Sequence, residues 1–172
     1  MTRSLAVTVL GHDRPGIIAE VTGALAALGG NLEDSSMTLL RGHFAWTLVV
    51  SVEASAGDVA ARLEHLTAEG LVVSVLPVPD ADAAAVEGSA WLLSVHGADR
   101  PGIVSGITGV VAEAGGNITD LTTRLGTGLY VLVAEVALPA DVDVTALTAR
   151  IDAVAADLGV RATLHAADVD EL

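Results

Sequence analysis

No cysteine occurs anywhere in the 172-residue sequence, which excludes disulfides, thiolate metal sites and thiol nucleophiles. Lysine is missing too: all eight basic residues are arginines, set against 22 acidic residues for a net charge of −14. An acidic surface repels phosphate backbones and anionic lipid, so neither nucleic acid nor membrane is an expected partner. Long apolar runs are also lacking. Although 52% of the residues are hydrophobic, no uncharged stretch approaches the ~18–20 residues of a membrane span. The longest, such as Val21 to Leu32, are broken by Gly, Thr and Asn. The chain opens on no basic-then-apolar signal segment, and its final VDEL reads as chance. These features fit a cytoplasmic protein.

Catalytic patterns are equally scarce. His12, His43, His65, His96 and His165 are scattered without metal-ligand spacing, and no Ser-His-Asp arrangement or paired-carboxylate motif stands out. The acidic DADAAAVE stretch lacks the glycine and alternating oxygen ligands of a calcium loop. No enzyme activity, metal or cofactor is therefore expected.

What the sequence does contain is a repeat. HDRPGIIAEVTGALAALGGN, residues 12–31, returns as ADRPGIVSGITGVVAEAGGN, residues 98–117, with 11 of 20 positions identical at an offset of 86. Around the first copy, Leu5 to Leu10 is apolar and β-branched and predicts a buried strand. Asp13-Arg14-Pro15-Gly16 breaks it, with Pro15 suited to the first position of a helix. Ile17, Ile18, Val21, Leu25 and Leu28 then recur at helical spacing as one apolar face, and Gly29-Gly30 stops the helix. Residues 31–40 and 43–52 predict a hairpin turning at Arg41-Gly42. Residues 57–69 predict a second helix with Val59, Leu63 and Leu66 inward, and 71–76 a closing strand. The second copy repeats this order through strand 91–95, helix 101–114, hairpin 117–138, helix 144–158 and strand 160–165.

The order is β-α-β-β-α-β, so the fold class is α+β, with two tandem ferredoxin-like units and antiparallel sheets. The expected domains are residues 1–78 and 89–166, joined by a linker at 79–88 and followed by an acidic tail at 167–172. Gly23 and Gly109 recur in mid-helix and read as close packing. Phe44 and Tyr130 fall where RNA-recognition sheets place stacking aromatics. They lack basic neighbours, however, and read as packing residues.

The junction after each first strand has a chemical reading. Free N–H groups of a first helical turn favour a carboxylate, and Asp13 or Asp99 can accept hydrogen bonds from an ammonium. Asn31 and Asn117 each carry a donor and an acceptor on one side chain. The start of the second strand is expected beside the end of the first, so these groups converge on a free α-amino acid. The structural alternative is that Asp before a Pro-led helix is an N-cap, and Gly-Gly-Asn a helix stop.

With DRPGI followed by GGN in this element order, the chain resembles the ACT domain, a small amino-acid-sensing module. Two copies covering residues 3–78 and 89–166, with no enzyme attached, are similar to the glycine-cleavage-system transcriptional repressor group. The resemblance implies a non-enzymatic regulator that binds a small free amino acid at interfaces between ACT units. Glycine is among the candidates. The strands that open with Asn31 and Asn117 are expected near sheet edges, which pairing of units would cover, so a homodimer is expected, and the acidic surface points to a protein partner, either a transcription factor or a metabolic enzyme. The implied ligand-binding residues are Asp13, Arg14, Pro15, Gly16 and Ile17 with Asn31 and Leu32. In the second unit they are Asp99, Arg100, Pro101, Gly102 and Ile103 with Asn117 and Ile118.

Serine-responsive relatives carry a His two residues before the loop Asp or Asn, where this chain has Gly11 and Gly97. The two copies also differ from each other: His12 becomes Ala98, Glu33 becomes Thr119 and Arg41 becomes Thr127. The rival to a ligand sensor is a ligand-independent interaction module. An enzyme of acylphosphatase type is disfavoured, because Arg14 lacks the Gly-rich loop that such an enzyme places around its arginine.

Overall fold

The computed structural model describes residues 1–78 and 88–167; most of the expected linker and nearly all of the acidic tail lie outside the described residues. The chain divides into two compact units, Met1–Ala83 and Ala84–Leu172. The first runs β1 (Arg3–His12), α1 (Ile17–Ala27), β2 (Asn31–Leu40), β3 (His43–Val52), α2 (Ala56–Ala68) and β4 (Val72–Pro77). The second runs β5 (Ser89–Gly97), α3 (Ile103–Glu113), β6 (Asn117–Leu125), β7 (Tyr130–Leu138), α4 (Val144–Asp157) and β8 (Val160–Ala166). Each is a four-stranded antiparallel sheet, ordered β2-β3-β1-β4 and β6-β7-β5-β8, as the ferredoxin-like reading requires.

Alternation along the strands sorts residues between two faces. Leu5, Val7 and Val9 of β1 pair with Val50, Leu48 and Trp46 of β3, and all six are buried against the helices. Val21, Leu25, Val59, Leu63 and Leu66 close the same core from above. The second unit builds its own core from Leu93, Val95, Leu132, Ala134, Ile107, Val111, Leu147 and Ile151. Phe44 is buried on the helix side, and Tyr130 is half-buried at the equivalent position. Neither ring is offered to a nucleic acid from the open face of its sheet.

Three local expectations are corrected. α1 starts at Ile17, not at Pro15, because Gly16 takes a left-handed φ of 95° and becomes the cap residue. Gly102 does the same before α3. Ile18, expected in the core, is exposed, and Ala24 takes a place there instead. Gly23 and Gly109 mark no close packing, since a Cβ at either would meet nothing within 4 Å.

The paired glycines ending α1 and α3 have a structural role. Gly29 and Gly30 donate to Ala26 and Leu25 at 2.9 Å each, and Gly115 and Gly116 donate to Ala112 and Val111. These are Schellman closures, and they aim the chain into β2 and β6. Both of those strands are sheet edges, and every residue of β2 except half-buried Thr38 is exposed.

Candidate functional site

The first loop, from Asp13 to Gly16, joins the end of β1 to α1. Its backbone is anchored to the hairpin turn, as Asp13 N–H donates to the Gly42 carbonyl at 3.1 Å. Gly16 supplies no side chain to cap the helix, so the amides of its first turn have no side-chain acceptor. Asp13 is not the N-cap, and its carboxylate makes no hydrogen bond among the described residues. The capping explanation for Asp13 therefore falls away, and Asp99, three residues before the equivalent cap Gly102, is placed alike.

Arg14 has a different task. Its Nη1 and Nη2 donate to Glu20 Oε1 and Oε2, both at 2.8 Å, in a two-pronged pair. Nη2 also meets Glu69, the residue that closes α2. The guanidinium thus ties the loop to both helices and is largely occupied by carboxylates of its own chain. In the second unit those carboxylates are gone, with Gly106 where Glu20 stood and Leu158 where Glu69 stood. Arg100 lies against Gly159 and has no acidic partner among the described residues.

The hydrogen bonds from Arg14 hold the Glu20 carboxyl below its ordinary value; the charges of Arg14 and His65 add to this, and partial desolvation opposes it. Arg14 is correspondingly pushed up, chiefly by the hydrogen bond to Glu20. A carboxyl lowered on folding stabilises the fold above its unfolded pKa of about 4.3 and loses that contribution as the pH falls through the folded value. Glu20→Gln is therefore expected to give a slightly lower Tm than the parent at pH 7. The difference should close on acidification below about pH 4. Thermal unfolding of both proteins across pH 3–7 checks this.

The expected convergence of Asp13 with Asn31 does not occur within a unit. Asn31 is opposite Ser51 on β3, and Ser51 is opposite Ser4 on β1. The start of β2 is thus level with the start of β1, not with its end. Asp13 lies nine residues further along, about 30 Å at ~3.3 Å per residue. The second unit repeats the separation: Asn117 is opposite Ala137, which is opposite Ala90, nine residues before Asp99. Leu32 and Ile118 sit beside their asparagines at the same far end. The physical reason is that β1 and β2 run parallel with β3 between them, so the helix returns the chain to the end where it began.

What does converge on the first loop is the far end of β2. A groove of about 500 Å³ is lined by Asp13 to Ala19 together with Met37, Leu39 and Phe44. Its walls are apolar. Met37 and Leu39 are opposite Trp46 and Phe44 on β3, which puts them on the helix side of the sheet. They were not recognisable as site residues in the sequence, where they read as ordinary strand alternation. Another groove, of about 400 Å³, lies between α4 and β8 and includes His96, Asp152 and Arg161 but none of the expected site residues.

The ACT domain family model matches residues 3–70 and again 89–165. A UPF0237 protein of Methanopyrus kandleri is 41% identical over 70 residues, 41% of this chain and 77% of that protein. The glycine cleavage system transcriptional repressor of Escherichia coli strain K12 is 28% identical over 124 residues, 70% of this chain and 64% of that protein. The crystal structure of an unknown protein from Galdieria sulphuraria superposes with a TM-score of 0.83 at 29% identity, covering 98% of this chain and 100% of the other. That of a candidate glycine cleavage system transcriptional repressor gives 0.67 at 20% identity, covering 96% and 97%; this likeness concerns the fold alone.

Proposed function

This chain belongs to the ACT domain family, with two copies of the module in tandem, and from that premise we propose that it is a non-enzymatic regulator. It binds a free amino acid at an interface between ACT units and through it modulates a protein partner in transcriptional or metabolic control. The observation carrying this reading is the loop itself. Asp13 is not the cap, its carboxylate makes no hydrogen bond among the described residues, and it borders the same groove as the first turn of α1, whose amides have no side-chain cap. An ammonium and a carboxylate on one small molecule match that pair of needs.

Since the unit's own Asn31 is about 30 Å away by strand length, the amide in the site comes from a different ACT unit. Pairing through β2 or β6 also covers strands whose edges are otherwise open, and it favours a homodimer. The net charge of −14 favours a protein partner over direct contact with nucleic acid, and a cytoplasmic setting fits this role. Among the described residues no helix is long and apolar enough to cross a membrane. A rival reading, the ligand-independent interaction module, draws on the exposed Leu39, Leu40 and Leu125 along the same strands.

Thermal unfolding against each free amino acid separates the two. A ligand at about 100 times its Kd adds roughly 2.7 kcal/mol, a rise of at least about 5 °C for a chain of this length. Asp13→Ala combined with Asn31→Ala is expected to abolish the rise while leaving the unliganded Tm nearly unchanged, since both residues are exposed. A flat profile at millimolar concentrations favours the interaction module, and loss of the fold in the double variant assigns the two residues a structural role.

A further inference from the structure

The geometry points to the first-unit groove as the side-chain pocket of that amino-acid site, selective for large apolar side chains of the leucine, methionine and phenylalanine class. This rests on the proposal that the loop around Asp13 receives the ligand.

Three observations carry it. The first is the lining. Ile18, Met37 and Leu39 are 44%, 47% and 51% exposed yet all border one groove, whose floor is Phe44 at 3%. Apolar surface left open around a concavity is stabilised when an apolar group enters and displaces water. Glycine or serine leaves those walls wet and gains nothing from them.

The second is charge. Arg14 is engaged by Glu20 and Glu69, so among the described residues the charge left without an ion pair at the groove is the Asp13 carboxylate. It attracts an ammonium and repels acidic side chains, which disfavours aspartate, glutamate and phosphorylated ligands.

The third is the contrast with the second unit. There Thr123 stands where Met37 does, Ser105 where Ala19 does and Tyr130 where Phe44 does. Each replacement adds a hydroxyl. Val104 and Leu125 keep apolar side chains at the positions of Ile18 and Leu39, so the contrast is one of degree: the first unit's lining is the more apolar, although Asp-Arg-Pro-Gly is common to both.

The test is binding of leucine, methionine, phenylalanine, glycine, serine and glutamate to the intact protein, read by calorimetry and thermal shift. A few methylenes in an apolar pocket each discriminate by about 10-fold or more. The first three are therefore expected to bind at least about 10-fold more tightly than glycine or serine. Met37→Thr and Leu39→Thr alter exposed side chains, and both are expected to weaken leucine binding about 10-fold with unliganded Tm unchanged. Equal or tighter binding of glycine, serine or glutamate overturns the apolar selectivity while leaving the amino-acid sensor standing. Undiminished leucine binding by both variants overturns the assignment of the groove. If no amino acid binds at all, the sensor reading and this one fall together.

Discussion

Gly97→Ala is expected to lower the unfolding temperature of the second unit sharply, and Gly11→Ala to affect the first unit less. Gly97 is the last residue of β5 and Gly11 the last but one of β1, each two residues before the loop aspartate. A Cβ on Gly97 would lie 2.8 Å from Val160 Cγ1, 2.9 Å from its Cα and 3.0 Å from its Cβ. Val160 is opposite Gly97 in the β5–β8 ladder, so relief requires the two backbones to separate. Overpacking of this kind costs about 1–3 kcal/mol and at times more. For a unit of this size that is roughly 4–8 °C per kcal/mol. A Cβ on Gly11 would meet Leu71 Cδ2 at 2.6 Å, but the backbone atoms nearby stand off at 3.2 and 3.3 Å. A leucine methyl can swing where a Cα cannot. The same crowding bears on ligand choice. The histidine that serine-responsive relatives place here needs far more room than a methyl, and at Gly97 the backbone of β8 leaves none. Calorimetry of both variants decides the matter, and an unchanged second-unit transition in Gly97→Ala would show that β8 can move aside.

Much of the fold was legible because it is written twice. A helical apolar face in residues 17–28, two stretches of strand alternation and a Gly-Gly stop, all recurring 86 residues later, leave few topologies open. The edge positions of β2 and β6 followed from the same order. The candidate site was legible only in part. Asp13 and Asn31 carry suitable chemistry, yet a strand–helix–strand passage within one sheet makes the strands parallel, so the two residues sit at opposite ends of the unit. Residue types do not report that distance; topology does. Pro15 suits the first position of a helix, yet the left-handed Gly16 delays the helix to Ile17. Arg14 is a ligand residue by resemblance, but Glu20, six residues on, and Glu69, 55 residues on, both hold it, and no local spacing reveals the second contact. The groove was invisible for a related reason. Met37 and Leu39 meet the loop only because β2 runs back past β3 to the end where β1 stops.

The largest single loss of stability is expected from Trp46→Ala, and it should be confined to one unit. Trp46 is 4% exposed, sits between Val9 and Met37 in the sheet, and packs its ring edge-on against Phe44 at 6.2 Å and 78°. Removing a buried tryptophan costs about 3–5 kcal/mol, because the surroundings only partly fill the cavity. The aromatic pair accounts for about 0.5–1.5 kcal/mol of that. A unit of some 80 residues has little stability to spare, so its transition should fall by at least about 12 °C. The second unit holds Leu132 at the equivalent position within a separate core, and its transition should stay where it is. A calorimetric trace with one transition moved and one fixed establishes independent cores; two transitions falling together would mean that the units unfold as one block. Trp46→Phe keeps most of the volume and the aromatic contact, and should restore much of the loss. It also gives a control for the groove: Phe44 is its floor, and only a variant that keeps that ring supported tests ligand binding apart from folding.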